Sequence, residues 1–398
     1  MLRVASLFSQ LLQLFPRTEF EALVSQHKAD RNQKGFTCWG QFVAMLFCQL
    51  GRAQSLREIC GGLAASEGKL KHLGVPSAPN RSTLSYANAH RPWELYRSVF
   101  QQLYQRCQQL STQSGKRKFR FRNKLLSLDA TMVEFCASLM DWAYYQRSKG
   151  AVKLHLLLDH DGLMPAFAVL TDGKTQEITV ARQMRFPRGT ILVFDKGYTQ
   201  YEWWRELTQQ GVYFVSRLRD NTRYTVFESR PLPAKGRVLT DELIVPDQQL
   251  QPGVRPYLRR IEVLLEDMKT TMVFVTNHLR LSANTVAAIY KDRWQIELFF
   301  KSLKQTLRIK TFVGTTPNAV QVQIWTALIA MLVLRWLKLK ARFAWSLSNL
   351  VALLRQQLFV YRDLWTWLDS PFQPPPAPWA GPVQLNLPLP LLDSRSAR

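Results

Sequence analysis

Over the first 110 or so residues, apolar positions recur at three- and four-residue steps and show no strand-like alternation. "WGQFVAMLFCQLG" (39–51) and "PWELYRSVFQQLYQRCQQL" (92–110) carry this period most clearly, which predicts helices. "APNRSTLSYANAHR" (78–91) joins them, with Asn80 or Ser82 as the expected N-cap. From residue 125 the pattern changes. "LLSLDATMVEF" (125–135) reads as a strand, and "VKLHLLL" (152–158) and "MPAFAVL" (164–170) flank the hairpin-turn sequence "DHDG". A helical or irregular piece follows, then "GTILVFDKGY" (189–198), a short apolar run that ends abruptly at Asp195. "YTQYEWWRELTQQG" (198–211) predicts a helix closed by Gly211, and "VYFVSRL" (212–218) another strand.

Residues 219 to about 275 have strand-like runs at "RRIEVLLE" and "TTMVFVTNH" and no helical period, so a β-rich insertion is expected there. Helices resume near Ser282 and continue into the 360s. The tail "PFQPPPAPWAGPVQLNLPLP" is Pro-rich, with an extended or disordered form expected. The boundaries drawn from these changes are a helical domain over 1–112, a linker over 113–124, a core in two parts (125–218 and 279–345) around an insertion at 219–278, a helical segment over 346–369 and the tail over 370–398.

Charge adds a partner to this picture. The formal net charge is +24, and the resulting self-repulsion points to a polyanion, most often nucleic acid, with a merely basic protein as the alternative. Through residue 125 there are 19 Lys and Arg against 6 Asp and Glu, so the helical domain is expected to grip DNA. "SGKRKFRFRNK" (114–124) has six basic residues among positions 116–124. Its interleaved Phe suggest an extended segment on a phosphate backbone, and a solvated linker fits equally well.

Five Cys without metal-ligand spacing predict free thiols in a reducing compartment. The N-terminal stretch does not read as a signal peptide. The most apolar run, "IWTALIAMLVL" (324–334), is short of the roughly 20 residues a membrane span needs. A buried core helix and a soluble protein are expected.

Candidate chemistry centres on "YKDRWQIELFFKSLKQ" (290–305). On a continuous helix at about 100° per residue, Tyr290, Arg293, Glu297 and Lys304 share one stripe. Ile289, Ile296, Phe299, Phe300, Leu303 and Leu307 form an adjoining stripe expected to be buried. Glu297 then lies at the edge of the core among cations. Arg293 and Glu297 also have the spacing of a simple i,i+4 ion pair, worth a few tenths of a kcal/mol. The company of Asp129 and Asp195, each expected at the C-terminal end of an apolar strand, favours a second reading. Two Asp and one Glu converging make a hard-oxygen site suited to Mg²⁺ or Mn²⁺. Two such ions would serve phosphodiester attack by water or a 3′-hydroxyl. Strands, a hairpin and a final helix bearing the last carboxylate are also the order of a ribonuclease H-like fold.

With these motifs the sequence resembles a DDE transposase of the fourth insertion-sequence family, the cut-and-paste group. "SLDATMVEF" matches the first-Asp block, and "ILVFDKGY" with "GVYFVSRLR" the second. Tyr290, Arg293, Glu297 and Lys304 fit the Y-(2)-R-(3)-E-(6)-K signature at every interval, about 100 residues after Asp195. The resemblance implies an α/β protein: a ribonuclease H-like mixed-sheet catalytic core with a β-rich insertion, preceded by an all-α DNA-binding domain. It implies Asp129, Asp195 and Glu297 as catalytic metal ligands for two Mg²⁺ or Mn²⁺ ions, and Tyr290, Arg293 and Lys304 as phosphate contacts. It further implies a bacterial, cytoplasmic, nucleoid-associated enzyme that dimerises on paired double-stranded transposon ends. Such an enzyme cuts both strands and joins the 3′ ends to target DNA. In some members the insertion supplies a Trp that holds a flipped base during hairpin formation. Residues 205–293 contain no Trp, and among Phe227, Tyr257 and Phe274 none is assigned to that task.

Other readings compete. A junction-resolvase-like nuclease would lack the four-residue signature and the insertion. A catalytically silent DNA-binding relic is opposed by the presence of all three carboxylates. An ATPase is disfavoured, since "GLAASEGKL" (62–70) has the wrong Gly spacing and Leu70 where a hydroxyl should hold Mg²⁺. "HLLLDHDG" offers a metal-binding reading through His155, Asp159, His160 and Asp161, but its turn chemistry accounts for it better.

Overall fold

A computed structural model of the chain describes residues 5–373 except 32, 34, 67, 114–117, 137–143, 147–148, 248–257, 266–269 and 307–311. Its helical first part comprises α1 (Leu7–Leu12), α2 (Arg17–Gln26), α3 (Cys38–Gly51), α4 (Leu56–Ala64), α5 (Arg81–His90) and α6 (Glu94–Gln113). Hydroxyl caps start three of them: Ser6 accepts from the Ser9 amide, Thr37 from Gly40 and Ser55 from Glu58. α5 begins after Asn80 as expected, although the Asn80 side chain makes no capping bond. α3 is apolar on nearly every side and is accordingly buried on nearly every side.

The strands are β1 (Leu125–Cys136), β2 (Tyr144–Gln146), β3 (Lys149–Asp159), β4 (Met164–Asp172), β5 (Ile191–Val193), β6 (Tyr213–Arg217), β7 (Tyr224–Ser229), β8 (Val238–Pro246), β9 (Leu258–Leu265) and β10 (Thr270–Thr276). They form one mixed sheet in the order β2-β3-β1-β5-β6-β10-β9-β8-β7, with β4 on β3. β1–β5 and β5–β6 are the parallel pairs, and the rest are antiparallel. A parallel pair requires a crossover, and α8 (Tyr201–Gln209), closed by Gly211 at φ +72°, supplies it between β5 and β6. α7 (Glu177–Gln183) lies between β4 and β5. The predicted hairpin at 159–162 is present, with Gly162 and Leu163 at positive φ.

Alternation along β1 sends its residues to two different cores. Leu126 and Leu128 pack with Trp203, Trp204 and Leu207 of α8, whereas Leu125 joins Ile191, Val193 and Val286 on the opposite face. That second face is covered by α9 (Ala283–Asp292) and α10 (Trp294–Thr306). Behind them α11 (Pro317–Lys340) runs through a core shared with α1–α6, α10, α12 (Leu347–Gln357) and α13 (Leu364–Asp369).

Several expectations need correction. Asp129 is not at a strand end: β1 continues to Cys136 because β3 pairs with it along its whole length. Asp195 lies two residues beyond the last residue of β5, where it opens a 3-10 turn and accepts the Gly197 amide at 2.8 Å. The helix over 290–305 is not continuous. It breaks at Arg293, so the signature is divided between α9 and α10, and Ile289 and Tyr290 enter a different core from Ile296, Phe299, Phe300 and Leu303. Leu307 lies outside the described residues. The apolar run 324–334 belongs to a 24-residue helix that is long and apolar enough to cross a membrane, yet 89% of its apolar window is buried inside the protein. The region expected to be a β-rich insertion holds β7–β10, and β10 pairs with β6, so it continues the core sheet outward.

Candidate active site

The parallel register of β1 and β5 sets the first relationship of the site. Leu125 faces Ile191 and Ser127 faces Val193, after which pairing stops. Asp129 and Asp195 are each two residues beyond that last pair and on the same face as it. Carboxyl-side crevices between parallel strands are where α/β sheets hold ligands. Burial is the main reason the Asp129 carboxyl is pushed up to about 7, and the like charges of Asp195 and Glu177 add to it. The Ala130 amide and Arg293 act in the opposite direction.

The α9–α10 corner supplies the other side. Arg293 lies 2.7 Å from Glu297 and 3.6 Å from Asp129, so one guanidinium spans two acidic side chains. The i,i+4 pair expected from spacing therefore exists, and it reaches further than its own helix. Tyr290 is 8% exposed, with its ring against Phe274 at 5.0 Å and the Arg293 guanidinium 5.5 Å from the ring centre. Lys304 donates to the Thr131 hydroxyl at 2.7 Å. Asp129, Thr131, Glu297, Lys301 and Lys304 line an open cleft of about 410 Å³. Among the described residues, no three acidic, His or Cys side chains converge as a ready-made metal cage.

Two neighbours escaped the sequence reading, and a third was weighed there for another role. Glu177, at the start of α7, is half-buried, is 3.7 Å from Lys153 and shares the field of Asp195. Lys301 enters the same cleft as Lys304. His160, weighed in the sequence for metal binding, joins Ser127 and Asp292, while Asp159 accepts from Tyr104 and pairs with Lys124. The Lys301–Lys304 spacing, three apart on a helix, could have revealed the second cation. No local pattern marks Glu177 or the Ser127–His160–Asp292 contacts.

A family model described as the transposase DDE domain matches residues 120–333, more than half of the chain. The chain belongs to the transposase DDE family. A further model, of a domain of unknown function, matches residues 3–76 of this transposase. A transposase-named protein of Sinorhizobium fredii, y4zB, is 29% identical over 312 residues, covering 77% of this chain and 85% of its own length. A transposase-named protein of insertion sequence element IS5377 from Geobacillus stearothermophilus is 30% identical over 260 residues, covering 64% and 67%. Among solved structures, a piggyBac transposase synaptic complex with hairpin DNA aligns with a TM-score of 0.46 at 10% identity, covering 90% of this chain and 81% of that one. As a member of this family the transposase acts on DNA, by strand cleavage and strand transfer.

Proposed function

We propose that this chain is an insertion-sequence transposase of the Y-R-E-K type with a ribonuclease H-like core, in which Asp129, Asp195 and Glu297 hold two divalent cations. The observation that carries the reading is the equivalence of Asp129 and Asp195 beyond the last β1–β5 pair, with Arg293 tying Asp129 to Glu297. The donor chemistry fits a hard cation: three carboxylates, one of them desolvated and pressed by like charge. DDE transposases use divalent metal ions, which polarise the scissile phosphate and lower the pKa of the attacking hydroxyl. Asp129 supplies an oxygen fixed by the central strand, and Asp195 one fixed by its capping bond to Gly197. Glu297 supplies the third from the first turn of α10 once it exchanges Arg293 for a cation.

Arg293, released toward solvent, and Lys304, at the cleft wall, then bind phosphates on either side of the reacting bond. Tyr290 holds the Arg293 guanidinium over its ring and offers its hydroxyl to the same backbone. The helical region 1–112 binds the terminal inverted repeats, the linker 113–124 follows the DNA backbone, and two copies pair the two ends. Phe119 and Phe121, stacked 5.2 Å apart and half-buried against the α9 core, support that linker role, since they leave Arg120 exposed on the other side of the segment.

The test incubates wild type and Glu297→Gln with the DNA flanking the gene, with Mg²⁺ and with chelator. Metal-dependent cutting at the repeat ends by wild type alone is the expected result. Equal cutting by both proteins would remove Glu297 from the chemistry.

A further inference from the structure

Ser127, His160 and Asp292 form a closed chain: the Ser127 hydroxyl is 2.7 Å from His160 Nε2, and His160 Nδ1 is 2.7 Å from Asp292 Oδ2. Lys118 donates to the other Asp292 oxygen at 2.5 Å. With the ring neutral, Asp292 accepts from Nδ1 and Nε2 accepts from Ser127. This order is that of a Ser–His–acid nucleophile, but Ser127 is 0% exposed, so no substrate can reach its oxygen.

The chain gains its meaning from what it connects. Ser127 is two residues before Asp129 on the same face of β1, and Asp292 directly precedes Arg293. Three successive positions of that face reach α9 and α10, the first two at their corner and the third in the last turn of α10. Ser127 does so through His160 to Asp292, Asp129 through Arg293, and Thr131 through Lys304. In the second and third contacts Asp129, Thr131 and Lys304 line the open cleft, where cations or DNA would claim them. In the first, Ser127 is fully buried, and His160 and Asp292 stand at the wall of a separate cavity of about 260 Å³, away from the cleft that Asp129 and Glu297 line.

We propose that Ser127, His160 and Asp292 are positioning residues that fix the distance between the strand carrying Asp129 and the end of α9, from which the corner at Arg293 leads into the first turn of α10 and Glu297, while the site is loaded. The proposal rests on the reading of Asp129 and Glu297 as cation ligands. Its physical basis is that a fixed partner behind a ligand-bearing element holds that ligand's orientation. Loss of such a partner typically costs 10- to 100-fold in metal affinity or activity. Asp292 suits the task because its two oxygens are satisfied by His160 and Lys118, which outweigh the effect of its burial and hold its carboxyl below the ordinary range.

The experiment uses the full chain and measures Mn²⁺ affinity by calorimetry without DNA, cleavage rate with Mg²⁺, affinity for end DNA, and melting temperature. Ser127→Ala and Asp292→Ala are each expected to weaken Mn²⁺ binding and slow cleavage by about tenfold or more, with end affinity unchanged in Ser127→Ala. The double variant is expected to be no worse than either single one, because the chain is already broken. Asp292→Asn, whose amide oxygen still accepts from Nδ1 but whose amide nitrogen cannot accept from Lys118, is expected to recover part of the loss. Ser127→Ala removes a single oxygen and keeps the test interpretable if Asp292→Ala does not fold. A lower melting temperature with wild-type Mn²⁺ affinity and rate would reduce the chain to a structural brace and overturn the proposal. Asp129→Asn and Glu297→Gln serve as controls. If they too bind Mn²⁺ normally, the cation site itself is misassigned. If they lose it while Ser127→Ala does not, only the positioning role falls.

Discussion

Arg293 spans the carboxylates of Asp129 and Glu297, at 3.6 Å from the first and 2.7 Å from the second. One cation thereby occupies the space between two acidic groups that come from opposite sides of the site. Arg293→Ala is expected to lower single-turnover strand cleavage by on the order of a hundredfold, because it removes a fixed positive group from the reacting phosphate. Arg293→Lys restores the charge without the planar fork and should recover only part of the rate. Wild-type cleavage by Arg293→Ala would remove the guanidinium from the chemistry.

Lys304 stands at the cleft wall with its ammonium on Thr131. If it binds a phosphate, Lys304→Ala should weaken complexes with end DNA and lower the slope of log affinity against log salt by about 0.9. An unchanged slope in a salt-titrated binding assay would return it to a solvent-facing helix side.

Tyr290 separates two roles that its position combines. Its ring is buried against Phe274, so Tyr290→Ala should cost about 3 kcal/mol in denaturant unfolding. Tyr290→Phe keeps the ring and should leave stability near wild type. A drop in end-DNA affinity for Tyr290→Phe would then report the hydroxyl's phosphate contact, and none would confine Tyr290 to packing.

His155 supplies an acid-sensitive element away from the carboxylates. Burial pushes its imidazole down to about 4, with Lys153 adding to the effect, and Nε2 donates to Thr171, whose hydroxyl is committed to the Asp172 carbonyl. A depressed folded value means that the unfolded chain takes up the proton first. The His155 contribution is therefore complete above about 6.5 and lost as pH falls toward 4, by up to about 3 kcal/mol. Melting curves across that window should show a shallower acid loss for His155→Gln. Identical slopes for the two proteins would place the acid sensitivity elsewhere.

Much of the fold was legible because its signals are local. The hairpin at 159–162, the helix closed by Gly211, the strands around residues 152–170 and 213–217 and the change of period near 125 follow from alternation and turn chemistry over a few residues. The burial of Ile296, Phe299, Phe300 and Leu303 followed from their spacing. The break at Arg293 was not legible, since "KDRWQ" contains neither Gly nor Pro; two separate cores bend the helix there. The extent of β1 beyond Asp129 depends on β3, whose pairing is not written in β1 itself.

By itself the sequence determined which residues could bear chemistry: the carboxylates, the spaced cations of the signature and a charge of +24 that calls for a polyanion. Tertiary structure alone decided who meets whom. The β1–β5 register brings Asp129 level with Asp195 across 66 residues of chain, and the α9–α10 corner turns Arg293 onto a strand more than 160 residues away. Contacts of that span are selected by the packing of whole elements on a shared core. A local pattern can specify the element, but the partner is set by the register and crossing of elements that the pattern does not contain.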